Sequence, residues 1–465
     1  MGTDLVELVG QLRDTFERGV TKPYAWRVGQ LEALQRMLVD NEEVFARALA
    51  DDLGKHPVES WVTEIGFVGN EVAHLRRHLD GWLRPRRVPV PFHLWPARAK
   101  VVREPLGVVL VIAPWNYPLQ LSLTPLAGAL AAGNAVVLSP SEHAPATSRA
   151  LAQLVPAHLD GSAVRIVEGG IPETTALLEQ RWDHIFYTGG AAVGRVVLEA
   201  AAGHLTPVTL ELGGKSPAFV DADADLEVAA RRIAWAKFAN AGQTCVAPDY
   251  VLATREVLDD LKPLLAKAIR DFYTADPSRS DAYGRVVDDP HFRRLTALVD
   301  PARVVSGGRS DAATRYIEPT VLDGVQEQDA VMQEEVFGPI LPLLEVGGVD
   351  EAIERIVARD KPLALYVFTG NAETRRRFLT GTSSGGLTFN LPMAHLAVPG
   401  LPFGGVDASG MGSYHGEASL DVFSHTKPVL DSPTRPDLVS VAYPPFNALR
   451  RLLVRHVVAP RRRVR

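Results

Sequence analysis

The chain has 465 residues, 46% of them apolar and 22% charged, with a net charge of −6 and a single cysteine, Cys245. This composition fits a globular protein of roughly two to four structural units whose core needs no covalent or metal staple. It excludes an internal disulfide and a cysteine-cluster metal site, gives no reason to expect nucleic acid as a partner, and offers no run near the ~18 apolar residues of a membrane span.

The first residues carry acids and no apolar stretch, which argues against a secretory signal. Together with a lone thiol, which fits a reducing compartment, this leads us to expect a cytoplasmic protein. Residues 4–83 read as helical, with Leu31, Leu34, Met37 and Leu38 on one face. His74 and His78 have the i, i+4 spacing of metal ligands, but no third ligand stands near them, and they read as a solvated helix face. No other segment resembles a metal site. Residues 84–96 are too rich in proline for a helix and read as an extended, exposed strand or linker.

From residue 106 apolar strands alternate with helices. Strands are expected at 107–113, 135–138, 164–168 and 184–188, and helices at 125–132, 147–154 and 173–179. Such alternation implies right-handed crossovers and a parallel sheet. Asn116 follows the first buried strand, where ligands bind in α/β sheets. Its amide could donate to a developing oxyanion, or it could be a turn asparagine between prolines. Gly189-Gly190-Ala-Ala-Val-Gly194 follows a strand and opens a helix. It could admit a pyrophosphate to backbone amides or be a plain glycine-rich turn.

Glu211, between two leucines and ahead of Gly213-Gly214, reads equally as a half-buried general base or as a salt-bridged acid at a strand end. A second α/β stretch runs from 215 to 390, with strands near 218–220, 250–253, 304–306, 341–345 and 365–369. Within it Cys245 lies in Asn240-Ala-Gly-Gln-Thr-Cys-Val. A free cysteine is usually a small buried hydrophobe, but Gly242 and Thr244 give this one the open, polar setting a nucleophile needs. From residue 450 the chain carries seven arginines, with Leu449, Leu452, Leu453 and Val457 on one helical face. This tail reads either as a basic amphipathic helix at an anionic membrane surface or as a solvated or docked tail.

Taken together, Pro-Trp-Asn-Tyr-Pro (114–118), Leu-Glu-Leu-Gly-Gly-Lys-Ser-Pro (210–217), Gly-Gln-Thr-Cys-Val (242–246), Gln-Glu-Glu-Val-Phe-Gly-Pro (333–339), Leu-Pro-Phe-Gly-Gly-Val (401–406) and Ser-Gly-Met-Gly-Ser-Tyr-His-Gly (409–416) resemble the aldehyde dehydrogenase superfamily. They are most similar to its class 3 branch of fatty and aromatic aldehyde dehydrogenases, over residues 31–425.

The resemblance implies an α/β fold with a Rossmann-type cofactor domain (1–83 and 106–212) and an α/β catalytic domain (213–395). It also implies an oligomerisation module (84–105 and 396–430), a basic tail (431–465) and a homodimer. It implies NAD(P)-dependent oxidation of a medium- or long-chain aliphatic or aromatic aldehyde to the acid through a thioester. Cys245 would be the nucleophile, Glu211 the base and Asn116 the oxyanion donor. Trp115, Gly189, Gly190, Gly194, Glu335 and Phe337 would serve the cofactor, and Tyr117, Trp235, Phe238 and Thr244 the substrate tunnel.

The sequence departs from the family at Ser139, where a lysine usually contacts the adenine ribose or an NADP 2′-phosphate. With that cation gone and Glu142 left as a hydroxyl acceptor, NAD is expected over NADP. Two rival readings are a relative that passes the thioester to coenzyme A and a catalytically silent relative with a binding role. The retained Glu211 weighs against the first, and the retained set of Cys245, Glu211, Asn116 and Glu335 against the second.

Overall fold

The computed structural model describes residues 5–437 and 439–458. Its N-terminal part is helical: Leu5–Glu17, Tyr24–Asp40 and Glu42–Leu53 are followed by a helix from 57 to 83. A single π-helical turn, Trp61–Ile65, interrupts that last helix. Leu31, Leu34, Met37 and Leu38 are buried on the second helix, as their spacing demands.

The first α/β unit is a six-stranded sheet. Its order is Gly410–Met411, Val208–Glu211, His184–Thr188, Val108–Ile112, Ala135–Ser139 and Val164–Ile166. All neighbours are parallel except Gly410–Met411, which pairs antiparallel with Gly410 opposite Glu211. Every residue of Val108–Ile112 is buried, as a strand covered on both faces must be. Strand order reverses between Val108–Ile112 and His184–Thr188, so a crevice opens beyond their carboxyl ends.

The second unit is a seven-stranded sheet, ordered Val304–Ser306, Thr320–Leu322, Ile340–Glu345, Tyr250–Ala253, Pro217–Val220, Ala364–Phe368 and Gly386–Phe389. Only the first pair is antiparallel.

Three elements depart from the sequence reading. The helix expected from 125 runs Gln120–Ala132 with Pro125 inside it. Its start is set by Glu64, whose carboxylate accepts the N–H groups of Leu119 (2.9 Å) and Gln120 (3.2 Å), a cap supplied from another helix. His74 and His78 form a half-exposed face that carries a ring cluster rather than a freely solvated one. Their rings lie 4.3 Å apart, and His78 stacks on Trp82.

The third departure concerns residues 396–430, expected to build one module with 84–105. They divide instead. Ser424–Asp431 joins Arg86–Val88 and Arg98–Pro105 in a three-stranded antiparallel sheet, while Phe403 and Tyr414 turn into the central crevice. The tail forms a helix, Ala448–Val458, with Leu449 exposed. The expectation for the tail extends to the arginines at 461–463 and 465, which lie outside the described residues.

Candidate active site

The crevice holds a cavity of about 230 Å³ where the ends of both sheets meet. Trp115 and Asn116 enter it from the end of Val108–Ile112, and Gly189 and Gly190 from the end of His184–Thr188. Glu211 ends its own strand there, and Cys245, Glu335 and Phe337 face them from the second unit.

The chain reaches Cys245 through a strained turn. Asn240 and Ala241 adopt left-handed backbone (φ 51° and 52°) and Gly242 follows at φ 75°. A side chain at Gly242 would collide with the carbonyl of Gly338. Such strain persists only where surroundings over-determine the fold, and here the polar contacts do so. Asn240 Nδ2 donates to the Asn116 carbonyl (2.8 Å), and Gln243 Nε2 donates to the Asn240 carbonyl (3.0 Å). The Asn116 amide donates one N–H to the Gln243 carbonyl (3.1 Å). The amide carries a second N–H, and Asn116 lines the cavity.

The electrostatics are set by burial. Glu211 is 3% exposed and neither carboxylate oxygen has a hydrogen-bond partner, so desolvation lifts its pKa well above the usual carboxylate range. Cys245 is half-buried. Burial first, then the charges of Glu335 and Glu211, push its thiol up, while the backbone N–H groups of Cys245 and Val246 pull it down. Glu335 is raised to about 8, by burial first and then by Asp249, against the N–H of Gly214 and the ammonium groups of Lys215 and Lys237. Its carboxylate lies against Gly213, where any Cβ would collide with it.

A dinucleotide fits the residues present. The helix Ala191–Ala202 opens at Gly190 with no side-chain cap, and no atom lies within 4 Å of where a Gly190 Cβ would stand. Free N–H groups and an open approach at a helix N-terminus suit a phosphate. Gly194 stands one turn further on, where a Cβ would come within 2.9 Å of Leu212. It serves helix–strand packing and does not line the cavity. Ser139 is buried at the end of its strand and Glu142 is half-exposed in the following loop; neither lines the cavity.

The four residues expected to wall the tunnel differ in exposure. Trp235 is 41% exposed on the outer face of Leu226–Phe238, because that helix buries Ala229, Ala230, Ile233 and Ala234 instead. Phe238 is fully buried in the core. Tyr117 and Thr244 are also buried and bond to each other (2.7 Å), bracing the cysteine turn rather than lining the space before it. The apolar walls come from Leu121, Phe403 and Tyr414, while His291 and Arg294 add polar groups. Phe403 and Tyr414 lay within recognised motifs; His291 and Arg294 carried no sequence signal beyond a helix start at Asp288.

A model of the aldehyde dehydrogenase family matches residues 4–429. The chain is 47% identical over 447 residues to a Mus musculus protein described as aldehyde dehydrogenase, dimeric NADP-preferring, spanning 96% of this chain and 99% of that one. It is 49% identical over 453 residues to Homo sapiens aldehyde dehydrogenase family 3 member B1, spanning 97% of each. Among solved structures, substrate-bound Staphylococcus aureus AldH matches with a TM-score of 0.95 at 42% identity, over 97% of this chain and 99% of that one. An indole-3-acetaldehyde dehydrogenase in complex with NAD+ matches with a TM-score of 0.82 at 28% identity, over 92% and 88%.

Proposed function

Because the chain belongs to the aldehyde dehydrogenase family and so oxidises aldehydes to carboxylic acids with a nicotinamide cofactor, we propose that Cys245 is its nucleophile, Glu211 its general base and Asn116 its oxyanion donor. One observation carries this reading. The three side chains converge on one cavity, and the acid among them has two buried oxygens with no protein partner.

The Cys245 thiolate attacks the aldehyde carbon; burial and then the carboxylates of Glu335 and Glu211 disfavour that charged form, and the N–H groups of Cys245 and Val246 offset part of this. The resulting oxyanion accepts from the free N–H of Asn116 and from the backbone N–H of Cys245. A bound nicotinamide ring supplies the acceptor for the hydride that leaves this adduct, which becomes a thioester. Glu211 takes a proton from water, the water oxygen bonds to the thioester carbon, and the acid departs as Cys245 recovers its thiolate. Hydrolysis is favoured over transfer to coenzyme A because Glu211 has no partner but the cavity.

Glu335 would hold ribose hydroxyls, and the edge-on pair of Trp115 and Phe337 (5.4 Å) would flank the ring. We read the cofactor as NAD in preference to NADP, on the absence of a cation at Ser139 and the carboxylate of Glu142. The substrate is read as a medium- or long-chain aliphatic or aromatic aldehyde, which suits the apolar walls. The assembly is read as a homodimer, which the description of the murine relative as dimeric supports. The compartment is read as the cytoplasm, where an unpaired thiol stays reduced. The test is reduced-cofactor formation from a medium-chain aldehyde with NAD and with NADP, wild type beside Cys245→Ala. Turnover that vanishes in the variant supports the thioester route; turnover that survives overturns it.

A further inference from the structure

Behind the cavity lies an ion pair that takes no part in the chemistry above. Lys55 and Glu64 are both inaccessible to solvent, with their charged ends in contact. Neither lines the cavity. The Lys55 ammonium also donates to the backbone carbonyl of Asn116 (3.1 Å) and sits 3.9 Å over the Tyr117 ring. Glu64 turns its other oxygen to the N–H groups of Leu119 and Gln120. The pair therefore grips 116–120 at both ends.

A buried ion pair is weak evidence of stabilisation, since desolvation costs about what the attraction returns and apolar replacements are often neutral. Its retention asks for another reason, and the local backbone points the same way. Glu64 lies in the π-helical turn Trp61–Ile65, a helix irregularity that recurs at functional sites. The short helix just before it, Pro57–Ser60, supplies Glu59, whose carboxylate accepts the N–H of Asn240 (2.8 Å). Asn240 in turn donates to the Asn116 carbonyl that Lys55 also holds. The Asn116 carbonyl thus accepts from Lys55 and Asn240, and its side chain is tied to Gln243 by one of its two N–H groups.

We propose that Lys55 and Glu64 are positioning residues for the oxyanion donor: they fix Asn116 from behind so that its free N–H meets the developing charge. The inference rests on the role given to Asn116 above. An acting group displaced by ~1 Å can lose on the order of 10²-fold in rate, so the pair should govern kcat rather than binding.

The experiment uses the full-length protein and the double variant Lys55→Met/Glu64→Gln, which removes both charges and keeps an acceptor for Leu119 and Gln120. The expected result is a folded protein whose kcat is lower by on the order of 10–100-fold, with aldehyde KM and cofactor affinity within about twofold. Combined with Asn116→Ala, it should add little to the loss from Asn116→Ala alone, because both act through one group. If the double variant does not fold, Lys55→Met alone removes the ammonium's hold on the Asn116 carbonyl, leaves Glu64 free to become neutral by taking up a proton while still accepting from Leu119 and Gln120, and is read the same way. Full kcat in a folded variant lacking the pair, or losses that multiply with Asn116→Ala, would overturn the proposal. Unchanged turnover in Asn116→Ala itself would instead overturn the role of Asn116, so the two failures are distinct.

Discussion

Glu211→Gln separates the two halves of the reaction. The substitution is isosteric, and because neither Glu211 oxygen has a partner, no protein hydrogen bond is lost. A positioned general base contributes typically ~10²–10⁴-fold, or about 3–5.5 kcal/mol of barrier. Steady-state kcat should fall by that factor. Attack by Cys245 and hydride loss do not use the base in this scheme. Rapid mixing of variant, NAD and aldehyde should therefore give a burst of NADH near one equivalent per site, followed by slow turnover.

Stability should move the opposite way. The folded-state pKa of Glu211 is raised by burial, so the protonated form is the one that folding favours. Its contribution is fully present below the ordinary carboxylate pKa and is lost as pH rises through the folded value. The glutamine never ionises, so the melting temperature of the variant should gain on wild type as pH is raised from 5 to 9. Unchanged kcat, or loss of the burst together with turnover, would refute the assignment of Glu211 to hydrolysis.

Other outcomes follow from the same geometry. Gly213→Ala drives a methyl group into the Glu335 carboxylate and should raise cofactor KM at least tenfold by titration, with aldehyde KM little changed. Glu335, at about 8, ionises as pH rises through that value. Cofactor KM should then fall between pH 7 and 9 in wild type and stay flat in Glu335→Gln, while the stability Glu335 contributes when protonated is lost progressively from the ordinary carboxylate pKa up to about 8. Trp235→Ala, on the outer helix face, should leave the aldehyde KM within twofold across a chain-length series.

Cys245, Glu211 and Asn116 each sit in a short segment with a chemistry of its own, a thiol among small polar residues, an acid between leucines and an amide just past a buried strand, but the residues alone left a bland reading open for each, and the resemblance supplied their expected roles. The partners that position them were not. Lys55 and Glu64 carry no signal in the sequence, and only packing against 116–120 gives them a task. Strands at buried positions were readable from runs such as Val108–Ile112, whereas the start of Gln120–Ala132 was hidden because all its residues are buried and it shows no polar face. The exposure of Trp235, 41%, was not read from the sequence. The phase of its helix, with alanines and Ile233 at the buried spacing, was the signal that would have turned it outward.

The pairing of Gly410 with Glu211 has a consequence for biosynthesis. Among the described residues, the strand that carries Glu211 is paired on its outer side only by residues 410–411, which leave the ribosome some two hundred positions later. Until then Val208–Glu211 is an open sheet edge, the kind of surface that invites pairing with another chain. A product terminated between Phe337 and Gly410 would keep Asn116, Glu211, Cys245 and Glu335 and still present that edge. Such fragments should be recovered in aggregates rather than as a weakened enzyme.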